Sequence, residues 1–215
     1  MRVSKEKADA NRRALLQAAS KLFREKGIDG VGVAEVAKAA GLTHGALYAH
    51  FPSKDALAAE AFSAGFAGSM AGMRAWAGDR QPTFEDYLDA LFSAGMRDRL
   101  GTGCPMTASA SEAARQGSAV SDRFAKAFNE EVAIVEGSLH PGMSAAVRRQ
   151  LAVASVAAQI GAIAVARAVA KTDLPLSDEV LHATRETIKL ACCVKNENNG
   201  ESPTRSHSTH AGPHR

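Results

Sequence analysis

The sequence predicts an all-α protein of about nine helices, with a three-helix head at the N-terminus and a larger helical body behind it. Two observations carry that prediction. Apolar residues recur at i, i+3, i+4 and i+7 from about residue 7 to residue 194, and no stretch keeps the alternating pattern of a half-buried strand. Glycines, prolines and small hydroxyl residues also fall where such helices would start and stop. With 215 residues, 46% of them apolar, the chain is long enough to bury a sizeable core.

The first helix is expected from about Lys7 to Lys26, with Leu15, Ala19, Leu22 and Phe23 inward and Gly27 as a left-handed stop. A short second helix carries Val33, Val36, Ala37 and Ala40, and Gly41 permits a tight turn after it. Thr43 stands where an N-cap is needed for a third helix, His44 to His50, which Phe51–Pro52 ends. Ser53 caps a fourth, which begins at Lys54 and fades at Gly78. Five more follow: about Thr83 to Arg99, Pro105 to Gln116, Ser118 to Leu139, Ser144 to Lys171, and Leu176 to Val194. The chain thus divides into a head (1–52), a body (53–194) and a polar tail (195–215) expected to be disordered.

Composition narrows the class. A mean hydropathy of −0.15, no unbroken apolar run of about 18 residues, and a polar start (MRVSKEKADANRR) argue against a membrane partner or a secretory signal. Three cysteines, Cys192 and Cys193 adjacent, make no disulfide framework, so a cytoplasmic protein is expected. Charge is uneven. Residues 1–54 hold ten Lys/Arg against five Asp/Glu, a net of +5, while residues 55–215 hold sixteen against eighteen, a net of −2. A basic head on a near-neutral body suits contact with a polyanion through the head alone.

Residues 33–51, VAEVAKAAGLTHGALYAHF, read as helix, glycine turn, helix. Ala37, Gly41 and Leu47 supply the small residue, the turn glycine and the buried apolar residue that a helix-turn-helix needs. The second helix would then present Thr43, His44, Gly45, Tyr48 and His50, a face with no acid on it.

The stretch from about Ala8 to Gly68 resembles the DNA-binding domain of the TetR family of bacterial transcriptional regulators. The matching residues include Ala18, Leu22, Phe23, Gly27, Val36, Ala37, Ala40, Gly41, Leu47, Tyr48, His50, Phe51, Lys54, Leu57 and Ala61, and GLTHGALYAHFPSKDAL carries the signature. The segment GTGCPMTASASEAARQ is similar to the LmrA/YxaF-type branch. The resemblance implies that Thr43, His44 and Gly45 approach phosphates and base edges, and that Tyr48, His50 and Lys54 hold the DNA backbone. It places Gly32, Val33 and Ala34 at the start of the second helix, where amides can meet a phosphate. Ala34 and Ala46 stand where relatives often carry hydrogen-bonding side chains, so DNA shape is expected to bear more of the specificity.

The implied protein is a homodimeric repressor on a palindromic, double-stranded operator, with recognition helices about 34 Å apart. A small, largely apolar effector would release it. Residues expected to line its pocket are Phe66, Met70, Met73, Trp76, Tyr87, Phe92, Met96, Cys104, Met106, Phe124 and Phe128. Ala154, Ala158, Gly161, Ala162 and Ala166 would let a second subunit approach closely, with Leu181, Thr184 and Ile188 of the last helix completing a four-helix interface. An activator of the same family, or a helical ligand-binding or catalytic protein using no DNA, remains an alternative.

Cys104 precedes Pro105 at a helix start, where partial positive charge favours thiolate, so it is either a sensor or a small buried residue. No cofactor, metal or catalytic constellation is expected. His140 and His182 lack partners at ligand spacing, and His207, His210 and His214 lie in the tail.

Overall fold

A computed structural model of the chain describes residues 5–197. Ten helices are present among the described residues, and no strand. They are α1 (Lys5–Lys26), α2 (Val33–Ala39), α3 (His44–Tyr48), α4 (Lys54–Ala77), α5 (Phe84–Leu91), α6 (Ala94–Asp98), α7 (Pro105–Ala113), α8 (Ser118–Ser138), α9 (Ala145–Val169) and α10 (Leu174–Glu197).

The head forms as its punctuation dictates. Gly27 and Gly41 adopt φ of 80° and 69°, which an L side chain resists, and each ends a helix. Thr43 Oγ1 accepts from the Ala46 amide at 3.3 Å, and Ser53 Oγ accepts from the Ala56 amide at 3.1 Å. Leu15, Ala19, Val36, Leu47, Phe51 and Leu57 then close one core beneath α1–α3. Ala113 of α7 and Val120 of α8 belong to the same core, so packing runs across residue 52 without a seam.

The expected helix over Thr83–Arg99 breaks in two, which makes ten helices instead of nine. Phe92 leaves the helical region at φ −99° and ψ 34°, and Ser93 Oγ caps a new start by accepting from the Met96 amide at 3.1 Å. The break turns Arg97 into the body, where its guanidinium donates to Ser177 Oγ (3.1 Å) and Asp178 Oδ1 (2.5 Å). The last helix starts two residues before the expected Leu176. Asp173 Oδ1 accepts the Leu176 amide at 2.9 Å and so caps it, with Pro175 harmless in the first turn. It also runs on to Glu197, so residues 195–197 are helical; the remainder of the expected tail, with its three histidines, lies outside the described residues.

Two further clusters fill the body. One joins α4, α7, α8 and α9 through Phe62, Phe66, Met106, Val132 and Val156. The other joins α5, α9 and α10 through Tyr87, Leu88, Ile163, Leu181 and Ile188. α9 is long and apolar enough to cross a membrane by length and composition; in the fold it packs against α7, α8 and α10.

Candidate nucleic-acid interface and effector cavity

Burial of Leu47 and Phe51 fixes which way α3 faces, because both are fully enclosed in the head core. Thr43, His44, Gly45 and Tyr48 are left outside, Tyr48 at 48% exposure. The His44 and Tyr48 rings meet edge to face, centroids 5.1 Å apart, so each limits the other's rotamers. α3 itself is shorter than expected: it stops at Tyr48, and His50 lies half-buried in the following turn, 6.5 Å from the Phe51 ring. Gly32 and Ala34 are exposed, Val33 and Lys54 half-buried. No acidic side chain occurs from Thr43 to Lys54.

Part of the basic head does structural work. Arg12 stacks over Phe51 at 4.9 Å and pairs with Glu60, while Lys26 pairs with Glu35 at 2.6 Å. Arg24 donates to the Ser20 carbonyl and, across to the body, to the Gly103 carbonyl, both at 2.9 Å. α7 completes that junction. Glu112 Oε2 accepts from the Ile28 amide at 3.1 Å, and Gln116 donates to Asp29 at 3.1 Å. The α1–α2 turn is therefore held by the body through side chains that charge counting could not assign.

The expected pocket residues fall in two adjoining clusters, with Met96 packed against both. Phe66, Met70, Cys104 and Met106 are buried in the α4/α7/α8/α9 cluster, with Phe124 and Phe128 partly buried against it. Tyr87 and Phe92 are buried in the α5/α9/α10 cluster, with Met73 and Met96 against it. Trp76 is no core residue: it is 56% exposed, with Arg80 stacked 5.0 Å from its ring. Two open clefts occur here. One, about 680 Å³, is walled by Met70, Met73, Tyr87 and Ile134, with Arg74 and Glu130 on its lining. The other, about 420 Å³, is walled by Met73, Trp76, Met96 and Gly103.

Cys104 lies enclosed in the body. It is 6% exposed, and burial first, then the neighbouring Glu131 charge, push its thiol up to about 11. The amides of Met106 and Thr107 pull the other way, as a helix start should, but burial outweighs them.

The small-residue stripe splits between two faces. Ala154 and Gly161 are exposed and Ala158 and Thr184 half-buried, whereas Ala162, Ala166, Leu181 and Ile188 are buried within the chain. Those four pack α9 on α10 within the chain, since a helix pair must bury its own seam before it can offer a face to another copy. Exposed Val165 and Leu190 were not singled out, although both lie on the outer sides of these two helices. Glu131 and Gln159 were also missed. Each interrupts an apolar stripe, Ala127–Glu131–Val135 on α8 and Val156–Gln159–Ile163 on α9, and that interruption was visible in the sequence. Among the described residues no group of three or more His, Cys, Asp or Glu could hold a metal ion.

The family model for bacterial regulatory proteins of the tetR family matches residues 15–61, which hold α2, α3 and most of α1. A second model, the C-terminal domain of LmrA/YxaF-like transcriptional regulators, matches residues 83–178. The chain belongs to the TetR family of bacterial transcriptional regulators. Both halves of the TetR-family layout, helix-turn-helix head and helical body, are thus accounted for, and the branch that residues 101–116 resemble is the branch matched. The HTH-type transcriptional regulator AcrR of Shigella flexneri is 41% identical over 59 residues, and the chain spans about a quarter (27%) of that relative's length. Solved structures share the fold. That from Cytophaga hutchinsonii superposes with a TM-score of 0.67 at 23% identity, covering 88% of this chain and 97% of that one. Reduced E. coli NemR gives 0.68 at 19%, covering 84% and 95%. The Legionella pneumophila regulator gives 0.69 at 17%, covering 88% and 98%.

Proposed function

We propose that this TetR-family regulator is a homodimeric repressor that binds a palindromic operator and leaves it when a small, largely apolar effector occupies the body. The observation that carries the reading is the outward face of α3, free of acids and pinned from behind by Leu47 and Phe51. In this reading Thr43, His44 and Gly45 enter the major groove, where a histidine can donate to guanine N7 or O6. Tyr48, His50 and Lys54, with the amides at Gly32, Val33 and Ala34, take phosphates and fix the register. With alanine at positions 34 and 46, few side chains reach base edges, so groove width and deformability carry more of the sequence preference.

The dimer follows from operator geometry, and the outer sides of α9 and α10 supply an apolar surface for it. Release works by population shift: an effector that prefers a different arrangement of α4 and α7 moves the heads off groove spacing. The α7 clasp on the α1–α2 turn gives that movement a mechanical route to the head.

Selection of bound duplexes from a random pool, followed by a salt titration on the selected site, tests the reading. A steep negative slope of log K against log salt is expected, flattened by about one for Lys54→Ala. A selected pool without a two-fold repeat, or binding indifferent to salt, sinks it.

A further inference from the structure

The body buries polar groups that nothing in it satisfies. Glu131 is 2% exposed and Gln159 is fully enclosed, yet neither carboxylate oxygen of Glu131 and neither amide atom of Gln159 has a hydrogen-bond partner. Orphaned buried groups of this kind are uncommon, because each forfeits its bonds to water. Here they sit on packed neighbours, Glu131 on α8 and Gln159 on α9. Glu131 lies in the middle of the apolar stripe formed by Ala127 and Val135, within the cluster that contains Phe66, Met70 and Met106. Its charge is felt both by the Tyr87 phenol on α5 and by the Cys104 thiol before α7. Tyr87 and Met70 also wall the 680 Å³ cleft, and Glu130, the next residue to Glu131, lies on its lining. Glu131 itself lies behind that lining, enclosed at 2% exposure.

We propose that Glu131, backed by Gln159, is the polar anchor of the effector site, and that the effector is an amphiphilic amine whose protonated nitrogen donates to Glu131. This deepens the effector reading above and rests on it. The ligand chemistry follows from the unmet groups. A buried carboxyl with two unpartnered oxygens and no cation bonded to it is completed by a charged donor, which favours its ionised form, and charge-assisted bonds are the strong ones. Gln159 adds a donor and an acceptor for a second polar group, and the phenol face of Tyr87 suits a neighbouring cation. Methionine and phenylalanine around the site accept an apolar body of loosely specified shape. Arg74, which lines the cleft and acts on Tyr87, shares that lining with Glu130.

A matched pair of probes tests this: 4-phenylbutylamine, protonated at neutral pH, and 4-phenylbutanol, of nearly equal shape. Titration calorimetry on the full-length protein is expected to show the amine binding at least about tenfold more tightly. Glu131→Gln, close to isosteric, should shrink that preference below about twofold, and its circular dichroism melt checks that it is folded. Gln159→Leu should weaken both probes while keeping the preference. Equal binding of the two probes, tighter binding of the alcohol, an undiminished preference in Glu131→Gln, or no binding of either at millimolar concentration overturns the proposal. Release of a selected operator duplex is read separately. An amine that binds through Glu131 and leaves the duplex bound overturns the release mechanism and keeps the site.

Discussion

Glu131 shows how much one enclosed carboxyl can decide. Burial without a returned hydrogen bond pushes it up to about 7, from 4.5 in an unfolded chain. The folded state therefore holds this proton more tightly than the unfolded state does. Its contribution is complete below about pH 4.5 and is lost as pH rises through 7, a change of roughly 3 kcal/mol. Tyr87 and Cys104, the titratable groups facing it, are both pushed up by burial and stay protonated throughout that window. Urea midpoints at pH 5 and pH 8 should therefore fall together with rising pH in the wild type, and Glu131→Gln should gain on the wild type as pH rises. A gap between the two proteins that is constant with pH would refute the account. Cys104 makes the companion case. With its thiol near 11 and its side chain enclosed, iodoacetamide should label exposed Cys193 in the folded protein and reach Cys104 only after unfolding, as peptide mass spectrometry would show. From sequence, Cys104 offered a helix start and two readings, a sensor or a small buried residue; its burial depends on α4 and α8, which no local pattern reports.

Helices were legible where a single residue carries the signal for a boundary. Ser53 and Gly78 bracket α4 as expected, because a hydroxyl cap and a positive-φ glycine (63°) act without tertiary help. Gly41 tests that locality. A Cβ built there meets nothing within 4 Å, so Gly41→Ala costs only the strain of holding φ at 69°, about 1–2 kcal/mol. A thermal midpoint lower by several degrees is expected, with the same helical content; an unchanged midpoint would mean that the turn relaxes to negative φ. Ser93 marks where local reading failed. The pattern Phe84, Tyr87, Leu88, Leu91, Phe92 continues smoothly toward Met96, and nothing in it says that the helix stops. The break satisfies a distant demand, the burial of Arg97 against Ser177 and Asp178, some eighty residues away. Arg167 then caps the C-terminal end of α6 by donating to the carbonyls of Met96 (3.0 Å) and Arg97 (2.8 Å). Long-range polar contacts of this sort have no periodicity to betray them.

At the scale of the whole molecule, the sequence revealed the family and the two-part layout, while the outward face of the body had to come from packing. Small residues on α9 looked alike in sequence; the structure spends half of them on α10 and leaves the other half outside. The outward half, Ala154, Ala157, Gly161, Ala164 and Val165, runs along one side of α9, and Leu190 stands 64% exposed on α10. Apolar side chains aligned on two adjacent helices are what a proposed four-helix interface needs, and they explain why a long apolar helix can stay half uncovered in one subunit. A carboxylate set into that face would be buried against its own symmetry copy, since a two-fold interface brings each residue near its equivalent. The double variant Val165→Glu, Leu190→Glu should therefore sediment as a monomer, against the dimer proposed for the wild type, with an unchanged far-ultraviolet spectrum. Operator affinity should fall by a factor of a hundred or more, because each head must then bind its half-site alone. A variant that stays dimeric would place the interface elsewhere; one that becomes monomeric yet binds the full site undiminished would show that the two heads act independently.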